Sequence, residues 1–110
     1  ESGEGAKGTI KAYYKSGKLE SECNYVDGHP EGALKEYYET GVLKSEGQYQ
    51  NGKLEGTVKD YYESGKLEYE RNYKEGVPQG AFKRYYESGS VRQEGNDKNW
   101  QHDGLVLWHD

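Results

Sequence analysis

The sequence predicts an all-β fold, an antiparallel β-hairpin repeat array forming one elongated, twisted or coiled meander sheet of about nine strands. Three observations predict it. Gly8, Gly32, Gly56, Gly80 and Gly104 recur at every twenty-fourth position without a slip, and repetition at such a period marks arrays whose units contact mainly their neighbours. Each unit holds two short runs rich in Tyr, Ile, Leu and Val, parted by polar turns that carry Gly. Those turn glycines recur at about every twelfth position, too often for a helix.

The organisation follows from the period. Residues 1–7 form an N-terminal extension. Residues 8–110 form the repeat domain, in units 8–31, 32–55, 56–79 and 80–103 with a C-terminal cap strand at 104–110.

Within each unit the first turn holds Ser16-Gly17, Thr40-Gly41, Ser64-Gly65 or Ser88-Gly89, and the second Asp27-Gly28, Asn51-Gly52 or Glu75-Gly76. Two-residue turns ending in Gly suit tight hairpins, where positive φ is needed. With Ser16-Gly17 as the turn, Tyr14 faces Leu19, Ala12 faces Ser21 and Ile10 faces Cys23. Lys11 then meets Glu22 and Tyr13 meets Glu20 on the other side. A three-residue loop with a Gly bulge would instead set Ile10 against Glu22, and a one-residue slip exchanges faces. The two-residue register is preferred, and Lys35–Glu46, Lys59–Glu70 and Lys83–Glu94 follow by the same rule. At the second turn, Tyr25 faces Pro30 and Ser21 faces Leu34.

Nine strands at the usual spacing span roughly 40 Å. Reflection through both turns carries a residue to the twenty-second position beyond it, whereas its repeat mate is the twenty-fourth. The expectation is a two-residue stagger per repeat and a coiled sheet.

One face then carries Ile10, Leu34, Val58 and Phe82, with Tyr14, Tyr38, Tyr62 and Tyr86, Leu19, Leu43, Leu67 and Val91, and Tyr25, Tyr49 and Tyr73. Tyr14, Tyr38, Tyr62, Tyr86, Leu19, Leu43 and Leu67 are the expected sheet-stabilising residues. The other face carries the Lys–Glu ladder and the row Tyr13, Tyr37, Tyr61 and Tyr85, which reads either as part of the cross-strand ladders that build the sheet or as the candidate contact surface. The apolar face needs cover: the sheet curls on itself, pairs with a second copy as a homodimer, or receives a partner.

Composition narrows the function. Only 31% of residues are hydrophobic, with no Met and one Phe, and the mean hydropathy is -1.28. Twelve tyrosines and the strict period set the chain apart from a disordered one, because a Tyr ring covers a sheet while its hydroxyl stays wet. The net charge is -5 and no basic run exists, so nucleic acid is not an expected partner. No apolar stretch approaches membrane-spanning length. Cys23 stands alone, with Gly47, Arg71 and Gly95 at the equivalent positions; it reads as a small strand filler.

The consensus G-x-φ-K-x-Y-Y-E-S-G-x-L-x-x-E-G-x-Y-x-x-G, carried from residue 8 to about 99, resembles the MORN-repeat variant of bacterial proteins, including YwqK-like antitoxin components. The YY-x-x-G-x-L block occurs in all four units once Val91 is allowed for Leu, and E-x-x-Y-x-x-G is intact in three. The resemblance implies hairpin repeats in an elongated sheet and a role in protein contacts, with no defined ligand. Kinase chemistry is not expected: no phosphate-cradling Gly-rich loop opens a helix and no metal-binding Asp motif occurs.

The fourth unit departs from the pattern. Asp97 replaces the second-strand Tyr and Trp100 the turn Gly, while Leu105, Leu107 and Trp108 enter the last strand. Trp100 and Trp108 are read as a C-terminal cap, as terminal repeats often are atypical. His102, Asp103, His109 and Asp110 have no metal-site geometry and are read as solvated cap residues. His29 is read as a turn residue. Glu20 and Glu22 lie on an open charged face, without the cleft that general acid–base work requires.

The expected function is therefore a non-catalytic repeat module for protein–protein interaction or scaffolding, antitoxin-like or at the cell surface. The partner is a protein; no cofactor, metal, nucleic acid or integral membrane segment is expected. The alternative is a carbohydrate or cell-wall array, since tyrosine rows also stack on sugars and choline-like cations. Choline-binding repeats rely on a recurrent Trp after Gly that this chain lacks. The expected source is bacterial, in the cytoplasm or, with an upstream signal removed, secreted or lipid-anchored.

Overall fold

A computed structural model describes residues 7–98, 101–102 and 106–109. The strands are β1 (Lys7–Tyr13), β2 (Leu19–Val26), β3 (His29–Tyr37), β4 (Leu43–Gln50), β5 (Lys53–Leu54), β6 (Gly56–Tyr61), β7 (Leu67–Lys74), β8 (Val77–Tyr85), β9 (Val91–Lys98), β10 (Gln101–His102) and β11 (Leu107–Trp108). They make one antiparallel sheet in the order β1-β2-β3-β4-β6-β7-β8-β9-β10, with β5 also on β4 and β11 also on β9. The all-β hairpin array is thus formed, as one open meander. Trp100, expected as a cap, lies with Asp103, Leu105 and Asp110 outside the described residues.

The ladder register holds in the strand centres. Ile10 faces Cys23, Lys11 faces Glu22 and Ala12 faces Ser21. Lys35–Glu46, Lys59–Glu70 and Lys83–Glu94 are also opposite.

The first turn differs from expectation. The Gly17 amide bonds to the Tyr14 carbonyl and the Tyr14 amide to the Lys18 carbonyl, both at 2.9 Å, enclosing Lys15, Ser16 and Gly17. Tyr13 consequently faces Leu19, so neither Tyr14–Leu19 nor Tyr13–Glu20 forms. A bulge at Glu20 then absorbs one residue and restores the Ala12–Ser21 pairing. The longer loop and the bulge cancel, which is why the ladder beyond them is as expected.

The second turn is the tight one. Asp27 and Gly28 both have positive φ, 54° and 79°, which matches the right-handed twist of the flanking strands. Tyr25 faces Pro30 as expected, but Leu34 faces Cys23 rather than Ser21, which faces Glu36. Between the Tyr25–Pro30 and Cys23–Leu34 pairs, β3 advances twice as far along its sequence as β2. Gly32 lies in the widening at φ 88°, and Gly56 and Gly80 repeat it at 89° and 98°.

That insertion overturns the predicted stagger. Ile10 faces Cys23, and Cys23 faces Leu34, the residue equivalent to Ile10 in the next unit. Equivalent residues therefore run straight across the sheet. The glycine that opens each of these units is the residue at which the two extra positions are absorbed.

The molecule measures 55 × 35 × 16 Å, and its interior is correspondingly thin. The buried apolar side chains among the described residues include Phe82, 1% exposed, and Cys23, 7% exposed. Most Tyr, Leu and Val side chains are half-buried, lying along the sheet rather than inside a core.

Candidate functional site

On the polar face, Lys11, Glu22, Lys35, Glu46, Lys59, Glu70, Lys83 and Glu94 alternate across successive main strands from β1 to β9. Opposite charges directly across a ladder favour this register. The carboxylates, however, are engaged by tyrosines. Tyr37 donates its hydroxyl to Glu22 at 3.0 Å, Tyr61 to Glu46 at 2.6 Å and Tyr85 to Glu70 at 2.7 Å. His109 takes the tyrosine's place in the last rung, with Nε2 at 2.9 Å from Glu94.

The row Tyr37, Tyr61 and Tyr85 thus lies on the predicted face, each ring tethered to the unit before it. Burial and the neighbouring carboxylate push the Tyr61 and Tyr85 hydroxyls up to about 12. Tyr13 begins the row, 58% exposed at the sheet edge.

The second tyrosine of each pair reaches the other way. Tyr14 donates to the Tyr37 carbonyl, Tyr38 to that of Tyr61 and Tyr86 to that of His109, each at 2.6 Å. Tyr62 does the same to Tyr85. A Tyr-Tyr pair therefore binds its own unit to the preceding and the following one. Leu19, Leu43, Leu67 and Val91 are half-buried opposite the first tyrosine of each pair, so the bulge puts them on the Lys–Glu face and not, as expected, on the face of Ile10 and Tyr14.

At the second-turn edge, Glu31 accepts the Asn51 amide and Glu55 the Glu75 amide, both at 2.9 Å. His29 lies beside the neighbouring turn, its Cβ 3.5 Å from the point where a Cβ on Gly52 would stand. The sequence signal for this stitching is the acidic residue that ends each of those units.

The apolar face carries an arrangement that sequence reasoning missed. Side chains on alternate strands meet there across the strand between them. Burial first, and then the Cys23 thiol two strands away, push the Tyr49 hydroxyl up. In the last instance the pair is Arg71 and Asp97, with Nε to Oδ2 at 2.7 Å and Nη2 to Oδ1 at 3.2 Å. Arg71 stands where the other units have Cys23, Gly47 and Gly95, and Asp97 where they have Tyr. Two departures from the repeat thus compensate one another. Phe82 lies edge-on to Tyr69 with centroids 6.5 Å apart, and the Arg84 guanidinium sits 3.9 Å over the Tyr69 ring.

Cys23 is buried, and burial pushes its thiol up, opposite to the activation of a nucleophile. Among the described residues no group of three or more His, Cys, Asp and Glu side chains is placed to hold a metal. Trp108 lies in β11 at the C-terminal edge, 65% exposed. Among the described residues no helix is long and apolar enough to cross a membrane.

No curated protein matches this sequence. Among solved structures, a chain from the crystal structure of accessory secretory protein 1, 2 and 3 in Streptococcus pneumoniae is similar at 12% identity and a TM-score of 0.48. That similarity covers 82% of this chain but only 17% of the other. The MORN repeat variant pattern matches residues 7–27, 30–51, 54–75 and 78–99. Repeats of this kind are generally non-catalytic binding modules. With four consecutive repeats over most of its length, the chain belongs to the MORN repeat variant family.

Proposed function

We propose that this chain is a non-catalytic module that binds a protein partner through its Lys–Glu face, with Tyr37, Tyr61 and Tyr85 as the contact row and Tyr13 extending it at the edge. The observation that carries this reading is the tether on each ring. Hydrogen bonds to Glu22, Glu46 and Glu70 hold three aromatic side chains at one unit's spacing, so little rotamer freedom is lost on association. Tyr is also a favoured interface residue, offering a large ring and a polar tip. The alternating charges beside the row supply specificity rather than affinity.

The test is co-purification of the tagged chain from its native host, beside a variant carrying Tyr37→Ser, Tyr61→Ser and Tyr85→Ser. A protein retained by the wild type and lost from a serine variant that keeps its thermal transition supports the reading. Tyr→Phe at the three positions, which keeps the rings but removes the tethers, should bind more weakly than the wild type. Retention by the serine variant counts against it. Titration with choline and with glycans gives the carbohydrate alternative its own readout.

A further inference from the structure

On the Lys–Glu face, Tyr37, Leu43, Tyr61, Leu67, Tyr85 and Val91 follow one another across β3, β4, β6, β7, β8 and β9. All six are half-buried, so they form an apolar strip that crosses the strands and runs along the array. A tyrosine recurs in it at every second strand, about 9.6 Å at the usual strand spacing. Two residues before each tyrosine, on the same face, stands Lys35, Lys59 or Lys83. Glu22, Glu46 and Glu70 between them accept tyrosine hydroxyls. None of the three lysine ammoniums is in an ion pair among the described residues. Each unit thus offers a tyrosine, a gap before the next apolar side chain, and a cation without a partner.

We infer, on the reading that Tyr37, Tyr61 and Tyr85 are the contact row, that this strip binds an acidic proline-rich segment of a partner protein in the polyproline II conformation, one turn of the ligand to each unit. Period selects the conformation. Polyproline II has three residues per turn at a rise of about 3.1 Å, so it returns to the same face about every 9.3 Å. An extended β chain does so after about 6.7 or 13 Å, and an α-helix after seven residues, about 10.5 Å. Over the two unit spacings from Tyr37 to Tyr85 the polyproline ligand drifts by about 0.6 Å and the helix by about 1.8 Å. Proline-rich segments dock in aromatic-lined grooves, and so stiff a ligand has little conformational freedom to lose.

Charge selects the third residue of each turn. The lysines repeat at the spacing of the tyrosines, so an acidic side chain at every third position meets one ammonium per unit. No segment of this chain qualifies as the occupant, because its two prolines, Pro30 and Pro78, both lie inside strands. A second copy is set aside for the same reason.

The probe is a fluorescein-labelled peptide of four Glu-Pro-Pro triplets, titrated into the whole chain and followed by anisotropy. Its control has the same composition with the glutamates together at one end, which keeps the conformation and removes the period. The triplet peptide is expected to bind about ten-fold more tightly than the control, the scale of three exposed ion pairs. Lys35→Gln, Lys59→Gln and Lys83→Gln together should erase that difference, with an unchanged thermal transition as the check on the fold. Tyr37→Ser, Tyr61→Ser and Tyr85→Ser together should lose both peptides. Equal binding of the two peptides overturns the inference, as does a lysine variant that still tells them apart, or no binding at millimolar peptide. Binding by this chain that the protein purified from its host does not share would place the occupant inside that protein, and overturns the assignment to a partner. Where the peptide fails but a host protein is still lost from the serine variant, the proposed function stands without this ligand. Where that host protein is retained by the serine variant, the contact row itself fails.

Discussion

The carboxylate of Asp97, 3% exposed, receives the guanidinium of Arg71 from two strands away at 2.7 Å. Each residue alone breaks the repeat; together they occupy the positions of Cys23 and Tyr49, or of Gly47 and Tyr73, in the preceding units. Arg71→Gly should therefore destabilise the chain by about 3 kcal/mol, because it takes the cationic partner from a buried carboxylate. Asp97→Tyr added to it should recover most of that loss by restoring the Gly-and-Tyr arrangement. Chemical denaturation of both single variants and the double variant measures the coupling.

Tyr61 and Glu46 stand in the interior of the other ladder. Tyr61→Phe keeps the ring and removes one hydrogen bond to a charged acceptor in a half-exposed setting, so a loss of about 1 kcal/mol is expected. Glu46→Gln should cost no more than this, since an amide oxygen still accepts. A loss in Tyr61→Phe indistinguishable from zero would mean that water replaces the carboxylate without penalty.

Alkaline pH should weaken the fold in a defined window. Burial first, then the bond to Glu46 or Glu70, raises Tyr61 and Tyr85 from 10.0 to about 12. A raised pKa means that the neutral hydroxyl is favoured in the folded chain. Its contribution is thus complete below pH 10 and is lost as the pH rises from there towards 12. The thermal midpoint should fall across that interval, and less steeply in a variant with both tyrosines changed to Phe.

Backbone conformation separates glycines that look alike in the sequence. Gly56 has φ 89° with nothing within 4 Å of where a Cβ would stand, and Gly8 has the same open surroundings without the positive φ. Gly56→Ala should cost about 1–2 kcal/mol through backbone strain alone, and Gly8→Ala should be neutral or slightly stabilising. Glu75 holds φ 52° where the preceding unit has Asn51, so Glu75→Asn should stabilise by about 0.5 kcal/mol. Thermal melts of the three variants check the order.

Close packing sets a further limit at Gly95. A Cβ there would stand 3.0 Å from two Phe82 ring carbons, and that ring is buried. Gly95→Ala should destabilise by about 1–3 kcal/mol, and Phe82→Leu should relieve part of it, as Leu34 faces Gly47 two units earlier and leaves that position clear of it. Additivity of the two changes in denaturation would argue against the clash.

What the sequence by itself determined is the period, the hairpin array, the faces of the strand centres and the Lys–Glu register, because each rests on local alternation and on the unbroken spacing of the units; the row Leu19, Leu43, Leu67 and Val91, next to the first loop, changes face. Tertiary structure alone decided the three-residue first loop with its bulge at Glu20, and the extra positions absorbed around Gly32, Gly56 and Gly80. Both escape a test based on faces for the same physical reason. Side chains alternate with a period of two, so a two-residue insertion, or a one-residue loop extension cancelled by a one-residue bulge, leaves every face unchanged beyond it. The stagger was invisible to that test, and so were the long side chains. Which carboxylate Tyr61 reaches, and that Arg71 crosses β8 to meet Asp97, depends on strands brought together only once the sheet has formed.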